Sequence, residues 1–216
     1  MPLKNHIKQA LSGNADSLIV FLHGYGADGQ DLLGLADALN VHLPNTIFMS
    51  PDAPNQSSVN PLGYEWFPIP RLDGSSLEQA RISRDNANEQ LNLFLDKIEN
   101  DTGIPSEKTF LFGFSQGCMM SLHLAPRKNK RIAGVIGIAG MMMQPELLEK
   151  EVKQKPPVLL VHGDQDDVVP FEELKIAADA LVKSEFEVYT LTSKGTGHSI
   201  GEDALHAALQ FIKNIL

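Results

Sequence analysis

The chain has 216 residues, 43% hydrophobic and 21% charged, enough for a single α/β domain spanning 1–216 and short for two. A formal net charge of −9 offers no phosphate-neutralising surface, so no nucleic-acid partner is expected. One cysteine, Cys118, excludes an intrachain disulfide and fits a reducing compartment.

The N-terminal stretch MPLKNHIKQALSGNADS lacks an apolar signal-peptide core. The longest apolar run, Ile132 to Met143, is broken by glycines and too short to span a bilayer. A cytoplasmic protein is expected.

Along the chain, compact apolar or β-branched runs alternate with helical spacings. SLIVFL (17–22) is the first strand, followed by the glycine-rich FLHGYGADG and then Leu32, Leu35, Ala36 and Leu39 at helical intervals. TIFMS (46–50) is the second. Residues 51–74 then break the pattern with five prolines, the only Trp and no sustained period. A structureless stretch of this length in a compact domain is usually functional or disordered. Tyr64, Trp66 and Phe67 argue against disorder, so a flap over a binding site is expected.

Leu91, Phe94, Leu95 and Ile98 mark the next helix, and KTFLF (108–112) the next strand. A short apolar helix should end at Pro126, before strand IAGVIGI (132–138). PVLLV (157–161) precedes a helix with Pro170 in its first turn and Phe171, Leu174, Ala178 and Leu181 on one face. FEVYTL (186–191) is the last strand. Ser199-x-x-Glu202 then reads as a capping box for a helix carrying Leu205, Ala208, Leu209 and Ile212. Strands that are apolar throughout and alternate with helices imply a mostly parallel sheet covered on both faces.

Between the 108–112 strand and its helix stands LFGFSQG, a G-x-S-x-G pattern. In a sharp strand–turn–helix the central serine is lifted from the backbone, and Gly113 and Gly117 relieve the crowding around it. The helix N-terminus adds unpaired N–H groups and positive potential near Ser115. A serine hydroxyl is a weak nucleophile at neutral pH, so it needs a base and an acid to orient that base. This architecture sets the order Ser, then Asp or Glu, then His.

Of the histidines after Ser115, His206 falls on a polar helix flank, whereas His198 lies in SKGTGHSIG, after the last strand. His198 is therefore the candidate base. The acid should come from HGDQDDVVP, where Asp164, Asp166 and Asp167 are equally acceptable by spacing. A calcium loop opening at Asp164 fails because the position that needs Glu holds Lys175. The Gln116 N–H is one oxyanion donor, and FLHGYGADG is a source for the second. His23 and His162, each in a His-Gly pair at a strand end, are read as structural, since no metal-ligand set accompanies them. Cys118 is read as helix packing, because no basic neighbour lowers its pKa.

On these motifs the sequence resembles the α/β-hydrolase carboxylesterases that include acyl-protein thioesterases and lysophospholipases. The likeness runs from FLHGYGADGQD through WF at 66–67, GFSQG and HGDQDDVVP to GTGHS. It implies the α/β-hydrolase fold, Ser115 as nucleophile, His198 as base and Asp166 as acid, with Asp167 in reserve. It points to the backbone of Tyr25 and Gln116 for the oxyanion. CMMSLHLAP after the elbow is bulkier than usual, and GMMM at 140–143 stands where relatives line the acyl pocket.

The expected function is a serine carboxylesterase or thioesterase working through an acyl-enzyme without metal or organic cofactor. Trp66, Phe67 and Met141 are the candidate substrate-binding side chains, although core packing suits Met141 equally well. The expected partner is a small acyl ester or lipid. Transient membrane-surface contact through the flap and a homodimer are further candidates. An acyltransferase and a non-catalytic binding module on the same fold are the alternatives. A nucleotide enzyme would need a phosphate-binding glycine motif that is missing.

Overall fold

The computed structural model describes residues 3–216. In chain order its elements are β1 (Asn5–Lys8), β2 (Ser17–Leu22), α1 (Gly29–Leu33), α2 (Ala36–Asn40), β3 (Thr46–Pro51), β4 (Asn55–Gln56), β5 (Tyr64–Glu65) and α3 (Pro70–Asp73). There follow α4 (Leu77–Thr102), β6 (Thr109–Phe114), α5 (Gln116–Leu124), β7 (Gly134–Ile138), α6 (Leu148–Glu151), β8 (Val158–Gly163), α7 (Glu172–Lys183), β9 (Val188–Ser193) and α8 (Glu202–Ile215).

The apolar runs are strands because both of their faces are covered. In β2, Leu18, Val20 and Leu22 point into a core shared with α4, α5 and α7, while Ile19 and Phe21 enter a second core with α1, α2 and α8. Phe21 stacks on Phe48 of β3 with centroids 6.0 Å apart and meets Phe112 of β6 edge-on at 5.2 Å. Burying each such side chain contributes about 1.5–3 kcal/mol, which offsets the entropy of ordering the strand.

The seven-stranded sheet has the order β1-β3-β2-β6-β7-β8-β9, parallel except for β1, which runs antiparallel to β3. All six strands expected from the sequence are present. β6, β8 and β9 run two residues further than expected, to Phe114, Gly163 and Ser193, and so carry the chain up to the loops holding Ser115, Asp166 and His198. The sequence does not announce β1, a half-buried edge segment of Asn, His, Ile and Lys.

Three local expectations change. No capping box forms at Ser199, because α8 begins only at Glu202, with Gly201 extended before it and no side-chain cap. Capping boxes form instead at Asp28 and Ser76, the residues before α1 and α4. Pro170 lies outside the first turn of α7, since Phe171 already precedes the first helical residue. Pro126 sits in the 3-10 turn Ala125–Arg127 that closes α5. No helix among the described residues is long and apolar enough to cross a membrane.

Candidate active site

Ser115 joins β6 to α5 with φ 52° and ψ −115°, a backbone conformation that a non-glycine residue holds only when its surroundings enforce it. The enforcement is steric. A Cβ on Gly113 would stand 2.3 Å from the Gly117 carbonyl oxygen, and one on Gly117 only 1.8 Å from the Leu22 carbonyl oxygen of β2. The two glycines let the turn close and the helix press onto the neighbouring strand.

Three loops at the C-terminal ends of β6, β8 and β9 bring their side chains into one line. His198 Nε2 is 2.9 Å from Ser115 Oγ, and His198 Nδ1 is 2.8 Å from Asp166 Oδ2. The other carboxylate oxygen of Asp166 accepts from the Val168 and Val169 N–H groups, each at 2.9 Å. Burial pushes the Asp166 pKa up. The His198 hydrogen bond and the two amides outweigh it and hold the carboxyl below the usual carboxylate range. The Phe114 ring lies 5.0 Å from the His198 ring and covers one side of it.

The aspartates that spacing left open occupy three different positions. Asp166 meets His198, Asp164 accepts from the Gly195 N–H at 2.7 Å and so tethers the His198 loop, and Asp167 is exposed. His162 is more than a turn residue. Its Nε2 is 3.0 Å from the Val169 carbonyl and 3.2 Å from Asp166 Oδ2, inside the acid loop. His206 is exposed on α8. Cys118 is buried, which pushes its thiol up to about 12, so it carries no thiolate at neutral pH.

The Gln116 N–H opens α5 and has no carbonyl behind it to bond, and the Tyr25 N–H meets no protein acceptor among the described residues. The Tyr25 loop is braced by His23, whose Nε2 accepts from the Ala53 N–H at 3.0 Å. That bond leaves Nδ1–H to donate to the Gly24 carbonyl at 2.8 Å. Burial lowers the His23 pKa and keeps the ring neutral in this role.

Trp66, Phe67 and Met141 do not line the cleft at Ser115, which corrects the expectation drawn for them. Trp66 is 0% exposed. Its backbone N–H donates to Gln116 Oε1 at 2.9 Å, and its indole Nε1–H donates to the His23 carbonyl at 3.0 Å. Gln116 Nε2 donates in turn to the Phe67 carbonyl at 2.7 Å. Phe67 packs on the core and Met141 is half-buried away from the cleft. An aromatic pair in a proline-rich segment reads as an exposed flap only until these partners, far away in sequence, are known.

A cleft of about 440 Å³ opens over Ser115 and His198, with Ile69, Leu72, Met119 and Val168 among its walls. Sequence reasoning missed these four, and only their apolar character could have suggested them. A larger hollow of about 800 Å³ lies between β1, β3 and α4. It contains no serine, histidine or cysteine and is remote from this chemistry.

Residues 6–216 match the family model described as phospholipase/carboxylesterase. Acyl-protein thioesterase 1 of Saccharomyces cerevisiae is 31% identical over 221 residues, covering 94% of this chain and 94% of its own. Acyl-protein thioesterase 1 of Gibberella zeae is 28% identical, covering 92% and 90%. The crystal structure of esterase PE8 superposes with a TM-score of 0.92 at 39% identity, over 100% of both chains.

Proposed function

The chain belongs to the phospholipase/carboxylesterase family of α/β hydrolases and is an enzyme of ester and thioester bonds, and from that premise we propose that Ser115 is its nucleophile, His198 its base and Asp166 its orienting acid. The observation that supports this reading is the unbroken hydrogen-bonded line Ser115–His198–Asp166, with spacings of 2.9 and 2.8 Å. Ser115 Oγ attacks the acyl carbon while His198 Nε2 takes its proton, and the Asp166 carboxylate stabilises the imidazolium through Nδ1–H. The developing oxyanion lies against the Tyr25 and Gln116 N–H groups. Collapse expels the alcohol or thiol, protonated by His198, and leaves the acyl group on Ser115. His198 then draws a proton from water, which attacks the acyl-enzyme and releases the acid.

The apolar walls of the cleft suit an acyl chain, with Ile69 and Leu72 as the covering part of the 51–74 segment. Exposed Val59, Leu62 and Leu72 of the same segment offer apolar side chains for transient contact with a lipid surface. The test is hydrolysis of a p-nitrophenyl ester series, from short to long acyl chains, by wild type and Ser115→Ala. The variant should lose at least about 10⁴-fold in kcat while keeping its melting temperature. A variant that retained the wild-type rate would exclude Ser115.

A further inference from the structure

The cleft contains one cationic side chain that the reaction does not use. Arg71 lies in the single turn α3 at the cleft rim, and its Nη2–H donates to the Val168 carbonyl at 3.1 Å across the opening. Val168 is the residue whose own N–H holds Asp166, so the guanidinium stands on the acid side of the line of three. Among the described residues Arg71, like Arg131, has no carboxylate partner, whereas Arg81, Arg84 and Arg127 are paired. Its remaining N–H groups meet no protein acceptor among the described residues.

The acidic groups nearby are committed elsewhere. Asp31, also in the cleft wall, turns back to the Asp28 N–H in its capping box. Asp73, two residues along the same turn, accepts from Ile69 N at 2.7 Å, Ser75 N at 2.9 Å and Tyr25 Oη at 3.1 Å. An exposed planar guanidinium with free N–H groups, at the rim of apolar walls, matches the two oxygens of a carboxylate or the face of a phosphate. A single bond to a carbonyl leaves that capacity unused.

We propose that Arg71 determines specificity in this cleft by selecting esters that carry a carboxylate or phosphate, with the anion seated between α3 and the Val168 loop. The inference rests on the ester-hydrolysis reading above and gives it a substrate class. The arginine touches the substrate away from the reacting atoms, so its effect belongs mainly in KM.

Two matched pairs separate the sources of the anion. Mono-p-nitrophenyl adipate against its methyl ester places the charge on the acyl side, and 1-butanoylglycerol 3-phosphate against 1-butanoylglycerol places it on the leaving group. Wild type, Arg71→Gln and Arg71→Lys are compared by the anionic-over-neutral ratio of kcat/KM. In Arg71→Gln that ratio should fall at least about tenfold for one pair, through KM, with Arg71→Lys between. An equal ratio in all three proteins for both pairs overturns the proposal and leaves Arg71 as a latch to Val168. Calorimetric binding of adipate and of glycerol 3-phosphate gives a reading independent of turnover. Binding weakened at least about tenfold in Arg71→Gln supports the site even if no ester is cleaved, a result that would count against the hydrolytic reading alone. Binding that is equal in both proteins, or absent in wild type, overturns it.

Discussion

The turn at Ser115 and the segment 51–74 touch along one seam, yet opposite kinds of constraint hold them. The turn is fixed by steric closure, within itself at Gly113 and against the Leu22 backbone of β2 at Gly117. Gly113 and Gly117 leave no room for a Cβ, and the positive φ of Ser115 follows from that closure. The segment is fixed by partners far along the chain. Trp66 depends on the His23 carbonyl and the Gln116 amide, Asn60 Nδ2 donates to the Gly26 carbonyl at 2.8 Å, and Asp52 Oδ1 accepts from Gly29 N at 2.9 Å. Between these anchors, Val59 and Leu62 remain exposed. Steric constraint tolerates no substitution, whereas a set of polar anchors fails one anchor at a time.

Substitutions can break that contrast in graded steps. Gly117→Ala forces a Cβ against the Leu22 backbone, so chemical denaturation should show a loss of more than about 4 kcal/mol, or no folded protein. A loss below about 1 kcal/mol would mean that the turn can relax and is not sterically locked. Trp66→Ala removes a buried indole together with its Nε1–H bond to the His23 carbonyl, with an expected loss of about 3–5 kcal/mol in the same experiment. A melting temperature within a degree of wild type would return Trp66 to the exposed flap.

The acid loop tests the contrast through pH. The folded pKa of Asp166 lies below its unfolded value near 3.8, so the folded state binds fewer protons there. The resulting stabilisation is complete above about pH 4 and is lost as the pH falls through the depressed folded pKa. Asp166→Asn should therefore show a shallower fall in melting temperature below pH 4 than wild type, and an identical acid limb would contradict the assigned hydrogen bonds. The smallest effect is expected at the exposed tip. Leu62 is 86% exposed, and Leu62→Ser should change stability by no more than about 0.5 kcal/mol while weakening association with lipid vesicles.

The same contrast explains what could be read from the sequence. Ser115 and its glycines announce themselves because the constraint is local and only a few residue types satisfy it. His198 follows from strand order, since the C-terminal end of β9 must face that of β6. The three aspartates of 164–167 resist the same reading, because in an irregular turn no period fixes where a carboxylate points. Family resemblance alone singles out Asp166 in the sequence, and in the fold the Val168 and Val169 amides and His198 surround it. Strand β1 is invisible for a related reason, being a half-buried edge with no apolar alternation to mark it. Arg71 carries no motif at all. Its interest arises from what surrounds it and from the absence of a carboxylate partner among the described residues.

Gln116 has two tasks in one residue, with a backbone N–H beside Ser115 and a side-chain amide that grips Trp66 and Phe67. This divides the 51–74 segment into a foundation and an interchangeable part. A graft that exchanges residues 68–74 with those of a relative would replace Ile69, Arg71 and Leu72, three of the side chains lining the cleft, and leave the grip of Gln116 intact. A graft that begins at Tyr64 would also replace the buried Trp66 indole and the main-chain path that Gln116 holds next to the Ser115 turn. For anyone recasting the substrate range, the cut belongs after Phe67.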